Sequence, residues 1–350
     1  MSNIIRNHHT VPRFYLNRFA DTQKQIGVIE LPGAIRVTRS TKSTTVARDF
    51  YNVEGLDAPE DFFEREFGKI EDTAAKVFAK VLDKKVWPLE PEDRRAVAVF
   101  AVLQHLRGPS QRNHLGQLST AMTRLEIATA GRENVRQFAK DRFGFVDLSE
   151  EEVERIWQYA IKPDTAPIEV PALAHMGQLA EFLPESVKYF QGRPWVLIRF
   201  ARKSIFTCDT PVSLIPDLRR EPSEGVGLMT AWGITLPLSR HVGLLMSSME
   251  PMIEADVSFG RVAAGEFDME QPPSAHYARM FNDASVRNAR RHVLHHPDDA
   301  SIVPSELPGH TGVEVDTSGV EGMIEAVQRM DFTQANLPDA IDDATGVAQL

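Results

Sequence analysis

A single cysteine in 350 residues, Cys208, removes two kinds of chemistry. No intramolecular disulfide framework can form, and a multi-cysteine zinc site is excluded. Long apolar runs are also missing. The longest, such as Ala96–Leu103, fall well short of the ~20 residues that a membrane span needs. No apolar run follows the first basic residue, as a secretory signal would require. The chain carries no P-loop, no G-x-G-x-x-G after a strand, no G-x-S-x-G elbow and no H-E-x-x-H pair, so several mechanistic classes are disfavoured. With 42% hydrophobic and 25% charged residues, the composition is that of a soluble globular protein with length for one large domain or two modest ones. A cytoplasmic location without membrane association is expected.

Acidic charge is scarce at the beginning of the chain. Eight basic residues stand against two acidic ones between Met1 and Arg48, a local charge of +6 in a chain of net charge −10, which leaves −16 for the remainder. A basic segment lying against its own acidic body satisfies this pattern, and so does a local anion-binding surface. The acidic remainder argues against indiscriminate binding to long duplexes, where several phosphates must be neutralised together.

Within that basic segment, His8-His9-Thr10-Val11-Pro12-Arg13-Phe14-Tyr15-Leu16-Asn17-Arg18-Phe19 gathers two imidazoles, two guanidiniums and three aromatic rings around a proline. A mobile tail gains nothing from so many large rings, so the run is expected to be docked, with its His and Arg side chains directed into something.

The periodicity predicts an α+β protein, mainly α, with a helical body and a small antiparallel β portion in the second half. A hairpin is expected at Ile26–Ile29 and Ile35–Thr38 around Pro32-Gly33. A helix capped by Asp57 follows, with Pro59 in its first turn and Phe63, Phe67, Ile70, Ala74, Val77 and Val81 on its buried face. The next helix, from near Pro91 to Arg107, is apolar almost all round and so central. Further helices are expected over Gln111–Thr129, Arg132–Phe143, Ser149–Ile161 and Ala172–Phe182, with three prolines between Lys162 and Pro171 marking a candidate boundary. Trp195–Phe200 and Ser204–Thr207 read as a strand pair, Thr230–Leu236 and His241–Met246 as a second, and Ser274–Leu294 as a last helix. The resulting division is a docked segment and helical body over 1–161, β-hairpins and a closing helix over 172–303, the two either separate or one continuous domain, and an acidic tail over 310–350 without regular order.

Helical phase singles out Arg107. With Ala96 at zero and about 100° per residue, Phe100, Leu103 and Arg107 share the inward stripe, and Gln104 borders it. A guanidinium there needs a partner. Either Glu71 or Glu64 of the preceding helix pairs with it, or it clamps an anion with Gln104 beside it. Asp209, in Thr207-Cys208-Asp209-Thr210-Pro211-Val212, follows an apolar strand, where an acid is either a rim residue of a site or a turn-former. Cys208 reads as a small buried residue rather than a nucleophile. His292, His295 and His296 have a helical i, i+3, i+4 spacing that suits a metal, or simply a helix C-terminus; no metal is assigned to them.

His8-His9-x-Val11-Pro12-Arg13-Phe14-Tyr15-Leu16-x-x-Phe19, then Asp49-Phe50-Tyr51, Gln104-His105-Leu106-Arg107-Gly108-Pro109, Phe206-Thr207-Cys208-Asp209-Thr210-Pro211-Val212 and Pro237-Leu238-Ser239 together resemble the bacterial domain-of-unknown-function family 4238. The resemblance runs through most of Met1 to His296. It implies a mainly helical body with a small β part and a shared set of polar residues, with no reaction attached. The family pattern has an asparagine after the aspartate, where this chain has Thr210, and one in the last helix, matched by Asn282.

Two readings follow. In one, an enzyme collects His9 and Asp209 for proton transfer and Arg13, Gln104, Arg107 and Asn282 for substrate binding, in a hydrolase or transferase acting on a phosphorylated small molecule, a nucleotide or a nucleic acid. In the other, a non-catalytic ligand-binding or defence-associated module uses the same groups as a buried polar network. No cofactor is named by either.

Overall fold

The computed structural model describes residues 4–54, 57–163, 165–221, 225–309 and 317–329, which fall into two compact units, Met1–Leu115 with Glu169–Glu314 and Gly116–Ile168 with Val315–Leu350. The fold is α+β and mainly α, and among the described residues its strands form three small sheets. In the first unit, Pro91 opens helix α3 (Pro91–Leu106) with Glu92 and Asp93 in its first turn, where acidic groups complement the helix dipole. Val97, Phe100, Val102 and Leu103 are all buried, as the all-round apolar pattern requires. The helix packs between α2 (Phe62–Leu82) and α7 (Ala172–Gln191), and the main core forms around Phe78, Phe100, Phe190 and Trp195.

Helix α2 begins at Phe62, later than the Asp57 cap predicted. Glu60 gives its carbonyl to the Val53 N–H, and the carboxylate of buried Asp61 binds the Ile5 N–H and Arg65. Helix α7 runs past Phe182 to Gln191 and carries Pro184 inside it; burial of Val187 and Phe190 rewards the extra turns.

Strands β2 (Gln25–Glu30) and β3 (Ile35–Ser40) form the expected hairpin, with Gly33 at φ +113° in its turn. The second expected pair also exists, as β8 (Gly233–Ser239) against β9 (Val242–Met246). The pairing between Trp195–Phe200 and Ser204–Thr207 does not. Strand β5 (Trp195–Arg199) lies antiparallel to β9 and parallel to β10 (Met269–Gln271), while β6 (Thr207–Cys208) joins β11 (His292–His295). Sheet orders are β10-β5-β9-β8-β7, with β7 at Ser213–Ile215, and β3-β2-β11-β6. The remaining two-stranded sheet pairs β1 (Asn7–His9) with β4 (Val46–Arg48).

The closing helix α10 (Ala275–Asn288) stops before the three histidines. His292 and His295 lie on β11, and His296 caps the 3₁₀ turn that follows, so the helical spacing read for a metal does not exist. The Asn288 amide bonds the carbonyls of Thr210 and Val212, and the Asp209 carboxylate takes the backbone N–H groups of Arg290, Arg291 and His292. Those donors are thereby turned away from a continuing helix.

Helix α4 (Pro109–Ala130) contributes to both units. The second unit is otherwise helical: α5 (Val135–Phe143), α6 (Glu150–Ile161) and α11 (Ser318–Arg329). Its core joins Ile127, Val135, Val153 and Ala160. Ser149 and Glu152 make the predicted capping box of α6. Buried Arg124 binds the carbonyls of Ala160 and Lys162 and the carboxylate of Glu321. The chain changes unit at 168/169, inside the proline-bearing stretch, and again within α4. Ser318–Arg329 is helical within the tail expected to lack order; the rest of 310–350 lies outside the described residues. No helix among the described residues is long and apolar enough to cross a membrane.

Candidate functional site

The N-terminal run is docked, with Val11, Tyr15, Leu16 and Phe19 all at 0% exposure. Its two histidines have different duties. His8 accepts the Tyr51 N–H at Nδ1 (2.9 Å), donates Nε2–H to the Ile5 carbonyl (3.0 Å) and stacks on the Tyr51 ring. Both of its nitrogens are committed to the protein. His9 donates Nδ1–H to the Thr44 carbonyl at 3.2 Å, which leaves Nε2 with its lone pair and no hydrogen-bonding partner among the described residues. Burial lowers the pKa of His9, and the positive charges of Arg13 and Arg107 lower it further, so the ring is neutral near pH 7. Arg13 opens the short helix α1 (Arg13–Leu16), is exposed and forms no ion pair among the described residues.

Arg107 follows α3 immediately and is completely buried. Its Nη1 reaches Glu71 at 2.6 Å and its Nε reaches the Thr10 carbonyl at 3.2 Å. With its oxygen turned to the guanidinium, the Gln104 amide accepts from Nε at 3.0 Å and from Nη2 at 2.9 Å. The Phe67 ring lies 5.7 Å from the guanidinium carbon. Of the two expected carboxylates, Glu71 is thus the partner. Glu64 is pushed up to about 7 by burial, an effect that Arg107 opposes and that Glu71 and Asp61 reinforce, and its buried Oε2 has no hydrogen-bond partner among the described residues.

Sequence reasoning missed two residues beside this network. Arg112 of α4 lies over the Phe50 ring at 3.7 Å, binds the Phe50 carbonyl at 2.5 Å and donates Nε–H to His175 Nδ1 at 3.1 Å. His175 of α7 donates Nε2–H to the Leu106 carbonyl, and burial lowers its pKa to about 4. The available signal was the phase of His175 beside Met176 and Leu179 on the buried face of α7; nothing local marks Arg112.

Asp209 and Asn282 belong to a different arrangement. Asp209 accepts backbone N–H groups from Arg290 (2.9 Å), Arg291 (2.8 Å) and His292 (3.3 Å), and its own N–H donates to the His292 carbonyl. Burial raises its pKa while those three donors lower it. Asn282 accepts the Phe206 N–H at 3.0 Å. Both side chains therefore fasten β6 to α10 and β11, and neither bonds to His9, Arg13, Gln104 or Arg107. The thiol of buried Cys208 is raised to about 12, chiefly by burial, which removes it as a nucleophile at neutral pH.

The structure thus brings His9, Gln104 and Arg107 together around the Thr10 backbone, with Arg13 close enough to act on His9, and holds Asp209 and Asn282 in another network. Among the described residues, no group of three or more His, Cys, Asp or Glu side chains has the geometry of a metal site. The arrangement offers an unengaged ring nitrogen, His9 Nε2, beside an exposed cation, Arg13, and a buried guanidinium each of whose nitrogens has a partner. In comparisons with known proteins, the model of a protein family of unknown function (DUF4238) matches residues 7–299. No curated protein and no solved structure matches the chain.

Proposed function

The chain belongs to the DUF4238 family, and from that premise we propose that it is a cytoplasmic ligand-binding module whose Arg107 cluster is a structural network, with an anionic group of the ligand held at the surface by Arg13 and a neighbouring hydroxyl or N–H of the ligand donating to His9 Nε2. One observation carries this reading. Arg107, the strongest candidate clamp, has 0% exposure, and each of its three nitrogens already has a partner in Glu71, Gln104 or the Thr10 carbonyl, so no face of it is open to a substrate. Breaking such a pair exposes a buried charge rather than emptying a ligand site.

A second reading, a hydrolase or transferase acting on a phosphorylated small molecule, a nucleotide or a nucleic acid, is favoured by the unengaged Nε2 of His9 and its lowered pKa. A neutral imidazole next to an exposed guanidinium can take a proton while an anionic oxygen is held. Thermal-shift titration with inorganic phosphate, nucleotides and a short oligonucleotide, followed by assay of any stabilising compound for turnover, separates the two. The binding reading expects Arg13→Ala to abolish the ligand-induced shift while the unliganded Tm stays within a degree or two, with no turnover by the parent protein. Turnover lost in His9→Ala, with ligand binding retained, selects the enzyme instead.

A further inference from the structure

Inside the helical unit, α4, α5 and α6 border a solvent-open cavity of about 500 Å3, within the size range of small-molecule sites. Its walls are mainly apolar, among them Ile127, Phe138, Phe143 and Ile156, with Glu152 and Arg155 also lining it. Phe138 and Phe143 meet edge to face at 5.9 Å, and Phe145 extends the row, 6.1 Å from Phe143. Phe143 and Phe145 are 49% and 55% exposed, so two large rings border open space. A lone exposed ring needs no explanation, but a row of them beside a cavity marks a binding surface.

The cavity adjoins an open groove of about 360 Å3, and the two share Arg155 and Tyr159. Two cations line this groove, Arg155 and Lys162. Arg155 forms a long ion pair with Glu152 Oε1, at 3.9 Å and beyond hydrogen-bond range, while the other oxygen of that carboxylate takes the N–H and hydroxyl of Ser149. The Lys162 ammonium makes no hydrogen bond or ion pair among the described residues. Glu154, the acid of the groove, is engaged by Arg132 and Gln158. An apolar chamber therefore opens beside two cations with unfilled hydrogen-bonding capacity.

We propose that the helical unit binds a single-chain amphipathic anion, a medium-chain carboxylate, with its apolar body in the cavity against Ile127, Phe138 and Phe143 and its carboxylate between Arg155 and Lys162. The apolar walls supply affinity by area removed from water, and the two cations select the ionised head group. This site is independent of the reading given to His9 and Arg13, and its test does not involve them.

Decanoate and decanol are titrated into the full chain, with displacement of 1-anilinonaphthalene-8-sulfonate and the shift in Tm as readouts. Decanoate is expected to displace the dye at one equivalent, to raise the Tm, and to bind about tenfold more tightly than decanol, the value of one good charge-assisted contact. Arg155→Ala with Lys162→Ala, both at solvent-facing positions, should melt like the parent, lose about tenfold in decanoate affinity and leave decanol unchanged. Thr123→Trp, which fills the cavity from a half-buried lining position, should expel both ligands. The proposal is overturned if decanoate binds no better than decanol, or if the double variant binds decanoate like the parent. Association with anionic phospholipid vesicles in the absence of any binding of monomeric decanoate overturns it as well.

Discussion

Arg107 and Asp209 both fasten backbone from distant parts of the chain. Through the Thr10 carbonyl, Arg107 holds the N-terminal run against α2 and α3, with Glu71 balancing its charge. Arg107→Ala should lower stability by roughly 3–5 kcal/mol, the usual cost of breaking a buried pair, measured by urea unfolding. A variant that melted normally would place the guanidinium in a ligand site after all. Asp209→Ala leaves three backbone donors without an acceptor and should cost about 3 kcal/mol, where a residue serving only catalysis would leave the unfolding midpoint unchanged. Glu64 makes a pH prediction. Its pKa rises from an ordinary 4.5 to about 7 in the folded protein, so between those values the native state binds more protons than the unfolded chain. Its contribution therefore declines as pH rises from about 4.5 to 7. Glu64→Gln should remove that loss and leave the variant on the order of 1–2 kcal/mol more stable than the parent at pH 8, with little difference at pH 4. Equal stability at pH 8 would show that Glu64 ionises without cost.

Between elements, β2 meets β11 with Gly27 opposite His295. A Cβ at Gly27 would lie 2.2 Å from Cε1 of the His295 ring, and that ring is buried and bonded through Nδ1 to the His296 carbonyl. Gly27→Ala should therefore cost about 1–3 kcal/mol by overpacking, read as a lowered Tm with the helical circular dichroism retained. Parent-like melting would mean that the imidazole moves aside freely. The same elements show what local reasoning reads well. The β2–β3 hairpin and the α6 capping box depend on residues a few positions apart, and both were legible. The pairing of β6 with β11 joins residues more than eighty positions apart, and local pattern carries no information on that choice. Asp209 decides it by capturing the N–H groups of residues 290–292.

For the whole molecule, the charge division is the main physical lever. The +6 of the first 48 residues stands against −16 in the rest, and several of the early cations are already engaged, Arg18 by Asp83 and Arg36 by the carbonyls of Pro304 and Ser305. The four whose side chains form no ion pair or hydrogen bond among the described residues, Arg13, Lys24, Arg39 and Lys42, stand against the acidic charge of the remainder. Fluorescence anisotropy with a labelled duplex should therefore show no binding at physiological salt, since such binding needs several phosphates neutralised together. Micromolar, steeply salt-dependent binding would restore a nucleic-acid role for the basic segment.

The sequence by itself determined the class, α+β and mainly α, the central position of α3, the inward phase of Arg107 and the docking of the aromatic N-terminal run. Each of these follows from periodicity or composition within a short window, where the physics is local. It also carried the family pattern, which spans most of the chain. Only the tertiary structure decided which carboxylate Arg107 takes, that Asp209 and Asn282 fasten β6 to α10 and β11 instead of joining His9, that His292 and His295 lie on a strand, and that Arg112 and His175 meet beside Phe50. Those outcomes depend on which distant donors and acceptors become buried together. The cost of leaving any of them unpaired is fixed only when the elements have packed.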